Sequence, residues 1–435
     1  MNKRTYLRYV SLNMAGMVGL SLYILADTWF VSLALGPVGL AALNLSITVF
    51  SIISGIGQMA GVGGGTDFSL RRSEGLDPSP ALKSALRFGG TASFFLVLLG
   101  LFFATPLSLL LGADEATLPL TAIYVRVTLL FSPCHIFNAI LQGFVRNDGA
   151  PRLAMLSMLT SSGANILLDY LFMFPLEMGM FGAVFATGLS SVLSICVLLT
   201  HLRARNNTLR LTHTRASVHE TLRALSYGLS AFIGELASAI ALLTFNLLLM
   251  RIGGYICVAA YGIIANAALV ATAIFTGLGQ GIQPLASQAY GAQDAASMRM
   301  LTGYTQKTVL SLSTVLFAGV YLLAPQIASA FNHENSDALL AIAIPGLRLY
   351  FAGYLFAGVN IAAAAFLSAA SLPGRALVIS LLRSCLLLIP ASLLLSTLLG
   401  ADGVWLSFVV TEASVCVLSL VSLSPFLRSA DQSIT

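Results

Sequence analysis

Charge is the scarcest property of this chain: Asp, Glu, Lys and Arg together make up 9% of its 435 residues. That deficit, set against 57% hydrophobic residues and a mean hydropathy of +0.90, excludes a soluble globule and requires an integral membrane protein. Cysteine is also sparse. Cys134, Cys196, Cys257, Cys385 and Cys416 lie apart in apolar segments with no CxxC pair, which reads as small apolar filler rather than a disulfide framework or metal cluster. HExxH, GxSxG and a glycine-rich phosphate loop are all missing, so no catalytic constellation supports an enzyme. No small-residue cleavage site follows a short apolar core between Met1 and Phe30, so the first hydrophobic segment is expected to stay as a helix. The net charge of +5 does not indicate a nucleic-acid partner, because the bases fall in short loops where they set topology.

What is present is a succession of long apolar runs. They predict an all-α polytopic membrane protein of twelve transmembrane helices, over 12–35, 43–65, 86–111, 119–145, 153–175, 180–202, 225–250, 256–283, 304–330, 340–368, 376–399 and 402–425. With both termini cytoplasmic, 19 of the 22 Lys and Arg fall on the inner side, Arg383 among them as a base of loop 10–11. Arg126, Arg251 and Arg348 fall on the other side. The bias predicts a multi-pass protein of the cytoplasmic (inner) membrane. Residues 203–223 form the longest polar connection and read as a solvated linker, with a lipid-binding role for its arginines as the alternative. It would join an N-terminal lobe, 1–202, to a C-terminal lobe, 224–435.

The halves repeat. Arg126, Asn138, Phe144 and Pro151 recur as Arg348, Asn360, Phe366 and Pro373 at one constant offset, and Gly182 recurs as Gly403 at an offset one position shorter. Six helices per half make parallel repeats, two six-helix lobes related by a pseudo-twofold axis along the membrane normal. Two such bundles meeting at a midplane cleft suit alternating access.

Asp27 is a lone carboxylate in the apolar run from Met14 to Leu35. A charge there costs about 2.5–3.5 kcal/mol on insertion scales, so it is expected to serve an ion, proton or ligand; the alternative is that it caps a neighbouring helix. Asn165 and Asp169 are an i,i+4 pair on one face of span 5, and Thr187 lies in span 6. Counted from the outer helix ends, Asp27, Asp169 and Thr187 fall within roughly 6 Å of one another in depth. Together the four residues make either an oxygen-rich site for Na⁺ or a pair of acids sharing a proton; a polar network that only knits helices 1, 5 and 6 together is the alternative. Glu235 and Asn246, three helical turns apart in span 7, share a face, and Glu412 lies mid-way along span 12. These three, with Asn138 and Gln283, are the candidates for contact with substrate; an acid near the midplane would attract a cationic drug. His135 reads as a satisfied intramembrane histidine. Pro133, Pro325, Pro345 and Pro390 are predicted kink sites, whereas a bend within span 1 would need Gly16 or Gly19.

Tyr23-Ile-Leu-Ala-Asp-Thr-Trp-Phe-Val31, Leu40-Ala-Ala42, Gln142-Gly-Phe-Val-Arg146 and Asn165-Ile-Leu-Leu-Asp169 resemble the multidrug and toxic compound extrusion (MATE) family, in its DinF/MepA-like branch. So do Val258-Ala-Ala-Tyr-Gly262, Gly279-Gln-Gly-Ile-Gln-Pro284 and Ala289-Tyr-Gly291, so that the likeness spans about residues 10–425. The resemblance implies the MATE/MOP-like fold and a multidrug efflux antiporter that exports organic cations and other xenobiotics against inward sodium or proton. It implies no cofactor beyond that coupling ion, a monomer among membrane lipids, and an acid site that matches Asp27, Asn165, Asp169 and Thr187. Asp148 matches a further polar position of that branch or is an ordinary loop acid. Departures include Ser32, where the family commonly has Gly, and the polar Thr66-Asp67-Phe68. A flippase for a lipid-linked or amphipathic substrate, on the same superfamily fold, is the alternative function; the acidic character of the buried groups favours cationic cargo.

Overall fold

The computed structural model describes residues 2–205, 207–210, 217–331 and 336–428, so part of the 203–223 connection, including Arg215, lies outside the described residues. Every described element is helical. In a bilayer each backbone N–H and C=O must find its partner inside its own segment, and a helix achieves this. Eight helices are individually long and apolar enough to cross a membrane, and ten spans result if two bent pairs each count as one. The protein is a multi-pass membrane protein.

The breaks have local causes. Lys3–Gly36 and Val38–Ser73 turn at a single residue, Gly36, with φ 63° and ψ −157°, a conformation that a Cβ disfavours. Gly254 breaks the long Val218–Gly291 helix at nearly the same angles, φ 66° and ψ −152°. Leu118–Leu130 and Ser132–Asn147 meet at a 49° bend, and Asp337–Ala352 and Tyr354–Ala369 at 43°. Pro133 stands at the second position of the Ser132–Asn147 helix, where its missing N–H does no harm, so the kink falls at Phe131. Pro345 stays inside the unbroken Asp337–Ala352 helix; the bend comes at Gly353 instead, where an added Cβ would lie 2.4 Å from the Phe408 ring. Residues Leu382–Leu386 form a π-helical turn. Pro390 explains it, because proline neither donates to the carbonyl four residues back, that of Leu386, nor leaves it room.

Span 1 does not bend at Gly16 or Gly19. Apart from Gly36, Lys3–Ser73 has no non-helical residue, and Cβ atoms at Gly16 and Gly19 would meet Met158 at 2.8 Å and Leu159 at 2.6 Å. These glycines admit the Pro151–Met173 helix rather than a kink.

Packing divides the chain into two compact units, Arg8–Leu236 and Ala237–Thr435 with Met1–Leu7. The first is held by an apolar core that includes Ile53, Phe68, Leu129, Ile136, Ile140 and Phe144. Its helices approach to backbone contact: a Cβ at Gly143 would lie 2.2 Å from the Gly61 oxygen, and one at Gly228 2.0 Å from the Met59 oxygen. Gly228→Ala should therefore force the crossing apart and lower stability by about 1–3 kcal/mol. Gly262→Ala, with nothing within 4 Å of its Cβ, serves as the neutral control in detergent thermal unfolding. The second unit is built around stacked aromatics, with ring centroids 4.3 Å apart for Tyr350 and Phe408 and 5.8 Å for Tyr261 and Trp405. All five cysteines are free.

Candidate ion site and its surroundings

Three helices of the Arg8–Leu236 unit bring the acid-site residues together. Asn165 and Asp169 project from Pro151–Met173, Thr187 from Gly179–Leu199 and Asp27 from Lys3–Gly36. All four are buried, Asn165 and Asp169 completely. Asn165 Nδ2 donates to Thr187 Oγ1 at 3.2 Å, and Thr187 Oγ1 donates to the Ala183 carbonyl at 3.2 Å. These bonds turn the amide so that its oxygen is left over. Asp27 Oδ1, Asn165 Oδ1 and both carboxylate oxygens of Asp169 are buried with no hydrogen-bond partner among the described residues. An unpartnered buried polar atom costs on the order of 1–3 kcal/mol, and more if charged. Four acceptors in one region therefore need a donor that the described side chains do not supply.

The charges of Asp27 and Asp169 act on each other, and both act on the Tyr23 and Tyr124 hydroxyls. The two tyrosines were not distinguishable in the sequence. Tyr23 is one turn before Asp27, and that spacing was the available signal; Tyr124 had none. One turn beyond the polar set, Val31, Met173 and Ala183 follow Asp27, Asp169 and Thr187 in register and join Tyr124, Val127 and Val184 in a buried apolar cluster. On the opposite side, one turn past Thr187, Ser191 Oγ pairs with His135 Nδ1 at 2.9 Å, and Phe50 packs edge-on against the imidazole. His135 is satisfied, as its apolar setting suggested.

Glu235 is half-buried, hydrogen-bonds Ser54 and reaches the Tyr23 hydroxyl with its charge. The unit boundary falls at Leu236, so Glu235 packs with the Arg8–Leu236 unit while Asn246, its face-mate, belongs to the other. The reason is the close crossing at Gly228, which fixes the first turns of Val218–Gly291 to that unit. Asn138 accepts from Gln142 Nε2 at 3.2 Å and is half-buried, as is Asn246, and Gln283 is buried.

A second polar assembly sits where the basic loops gather. Asp148, fully buried at its side chain, accepts from Arg72 Nη1 at 2.9 Å, His201 Nε2 at 2.8 Å and the Thr208 backbone N–H at 2.9 Å. The Thr208 hydroxyl is a further donor. Asp67 pairs with Arg71 and Arg223, each at 2.9 Å, and Arg71 pairs with Glu220 at 2.9 Å. The polar Thr66-Asp67-Phe68 departure is thus the seat of an ion-pair chain. The linker is solvated only in part, since Asn207 and Leu209 are buried and Thr208 is bound to Asp148. Asp148 is more than an ordinary loop acid.

In the second unit Glu412 is buried and fully engaged. Arg383 Nη2 donates to Oε1 at 2.7 Å, and Asn360 Nδ2 donates to Oε2 at 2.7 Å. Arg383 is therefore not a loop base. It lies well inside the Pro373–Leu399 span, because an arginine with a buried carboxylate partner can stand where hydropathy alone would forbid it. Among the described residues no group of three or more His, Cys, Asp or Glu could hold a metal ion.

A family model described as MatE matches residues 14–171 and 230–394. A relative in Staphylococcus saprophyticus, named multidrug export protein MepA, is 26% identical over 89% of this chain and 86% of its own length. A Staphylococcus aureus protein of the same name is 26% identical over 94% of this chain and 90% of its own. Among solved structures, an outward-facing multidrug resistance MATE family transporter of the MOP superfamily superposes with TM-score 0.88 at 23% identity, covering 98% of this chain and 96% of that one. A MATE structure in the straight conformation gives 0.90 at 24% identity, covering 98% and 97%. At these identities the superpositions show a shared fold.

Proposed function

Because the chain belongs to the MatE family, we propose that it is a secondary antiporter of the cytoplasmic membrane that exports organic cations in exchange for Na⁺ or H⁺. The observation that carries this reading is the set of buried oxygens on Asp27, Asn165 and Asp169 with no partner among the described residues, which a bound cation or a proton would satisfy. The names of the staphylococcal relatives, as multidrug export proteins, support the cargo class.

The architecture proposed with it has twelve spans in two six-helix lobes with pseudo-twofold symmetry. The bend points Phe131 and Gly353 stand at the same offset as Asn138 and Asn360. So do the N-caps Ala150, with φ −113° and ψ 54°, and Leu372, with φ −116° and ψ 54°. Division of Val218–Gly291 at Gly254, together with the 23-residue Pro151–Met173 helix, supplies the two spans beyond ten. The termini are cytoplasmic, the protein acts as a monomer, and the coupling ion is its only cofactor.

In the cycle, Na⁺ or H⁺ entering from outside takes the free oxygens of Asp27, Asn165 and Asp169. Neutralising them favours the conformation from which cargo has left, and ion release to the cytoplasm restores the affinity for cargo. Coupling requires that ion and cargo bind the two conformations unequally. Each net charge crossing 100 mV supplies about 2.3 kcal/mol, or roughly fifty-fold, whereas a one-for-one exchange of monovalent cations draws on the ion's concentration gradient alone. Glu235, joined electrostatically to the same cluster through Tyr23, is the acid proposed to meet cationic cargo.

The test is efflux of a fluorescent organic cation from proteoliposomes under an imposed Na⁺ gradient and, separately, an imposed pH gradient. Transport driven by one of them is expected and names the ion. No transport under either would overturn the antiporter reading in favour of a lipid flippase, to be followed with a labelled-lipid scrambling assay.

A further inference from the structure

The two units treat their buried acids differently. In the Arg8–Leu236 unit the span acids Asp27 and Asp169 keep free oxygens, while Asp67 and Asp148, where the basic loops gather, are paired. In the other, Glu412 Oε1 receives Arg383 Nε at 3.1 Å and Nη2 at 2.7 Å, while Oε2 receives Arg383 Nε at 3.2 Å and Asn360 Nδ2 at 2.7 Å. Asn360 Nδ2 also donates to the Glu412 carbonyl at 2.9 Å, and Ser419 Oγ donates to Asn360 Oδ1 at 2.7 Å. The amide is thereby held from both ends, and its orientation toward the carboxylate is fixed independently of Arg383.

The internal repeat proposed above locates this group. At the offset that relates Asn138 to Asn360, Asn165 and Asp169 correspond to Leu387 and Ala391. At the offset that relates Gly182 to Gly403, Thr187 corresponds to Phe408, so all three partners are apolar. By the same offsets Glu412 corresponds to Ser191 and Arg383 to Ser161, each one helical turn away from the ion-site positions in the same direction. The second unit has thus lost the open oxygens and gained, about 6 Å along, a carboxylate that carries its own cation. The π-helical turn Leu382–Leu386 contains Arg383. Such a turn is a device found at functional sites. Geometry matters here because guanidinium is planar and matches a carboxylate edge-on.

We propose that Glu412 and Asn360 form a binding site for guanidinium- and amidinium-type cations, which the chain fills with its own Arg383. The site is a pre-oriented carboxylate with an amide at its flank, and Arg383 is a tethered ligand in it. Organic cations bearing such a group compete with the tether.

The experiment uses the full-length protein in detergent and needs no transport, so its outcome is independent of the antiporter reading. The chain has two tryptophans, and Trp29→Phe leaves Trp405, buried in the unit that holds Glu412, as sole reporter. Guanidinium chloride is titrated at low millimolar concentration against matched KCl, reading Trp405 emission and thermal unfolding. Arg383→Ala is expected to respond saturably, at least tenfold more sensitively than its parent, and Arg383→Ala/Glu412→Gln is expected not to respond. A missing response in Arg383→Ala, or an equal one in the double variant, overturns the proposal. Should Arg383→Ala fail to fold, it is prepared with guanidinium present throughout. Folding restored only by guanidinium supports the site, and failure in both conditions counts against it.

Discussion

Asp27→Asn should insert and fold as the parent does yet lose ion-driven efflux, which should fall to the level of protein-free liposomes. The substitution is nearly isosteric, and it replaces a buried carboxylate whose Oδ1 has no partner by a neutral amide. Insertion becomes easier, since the charge that costs about 2.5–3.5 kcal/mol is gone. What is lost is half of the acid pair proposed to bind and release the ion; on that proposal the ion no longer distinguishes the two conformations and supplies no driving force. The readouts are membrane yield, thermal stability and gradient-driven efflux in proteoliposomes. Efflux at the parental level from a folded Asp27→Asn protein would reject the ion-site assignment.

Asp148→Ala should be the most destabilising of the loop substitutions, by about 3–5 kcal/mol. His201 is almost wholly buried and the Asp148 side chain entirely so; removing the acceptor strands the imidazole and the Thr208 N–H together. Arg72, nearly half exposed, recovers water and contributes little to the loss. The 207–210 segment should then detach, so trypsin should cut after Arg210, which is already exposed, faster than in the parent. Asp148→Asn keeps one acceptor and should fall between the two. A parental unfolding temperature in Asp148→Ala would mean that the four-donor arrangement does not hold the linker.

The gathering of Asp27, Asn165, Asp169 and Thr187 was legible because its signals were positional. An i,i+4 pair on one helix and a common depth on three helices are consequences of helix geometry, and helix geometry survives folding. Tyr124 lacked such a signal, since a tyrosine inside a membrane helix is chemically ordinary until a carboxylate comes near it, and Tyr23 had only its spacing from Asp27. Arg383 was misplaced for a related reason. Charge counting assigns every base to the nearer loop, and only a partner on another helix, Glu412, identifies one that stays within the span. Pro390 could be read as a perturbation but not as a π-helical turn, because the chain can answer a missing hydrogen bond by kinking, breaking or widening. The partial burial of the linker was invisible because the acid that binds it, Asp148, stands 60 residues before Thr208.

A turn one glycine wide leaves little for another molecule to hold. At Gly36 an antibody would meet two helix ends with no loop joining them, and the same is true, separately, at Gly254. The segment from Leu111 to Thr117 is different: Asp114, Glu115 and Ala116 stand exposed, and Asp114 folds it into a compact turn by bonding Thr117. This segment therefore offers an antibody more to hold than the turns at Gly36 and Gly254 do. It is also a place where an epitope tag or a spectroscopic label would disturb the helices little.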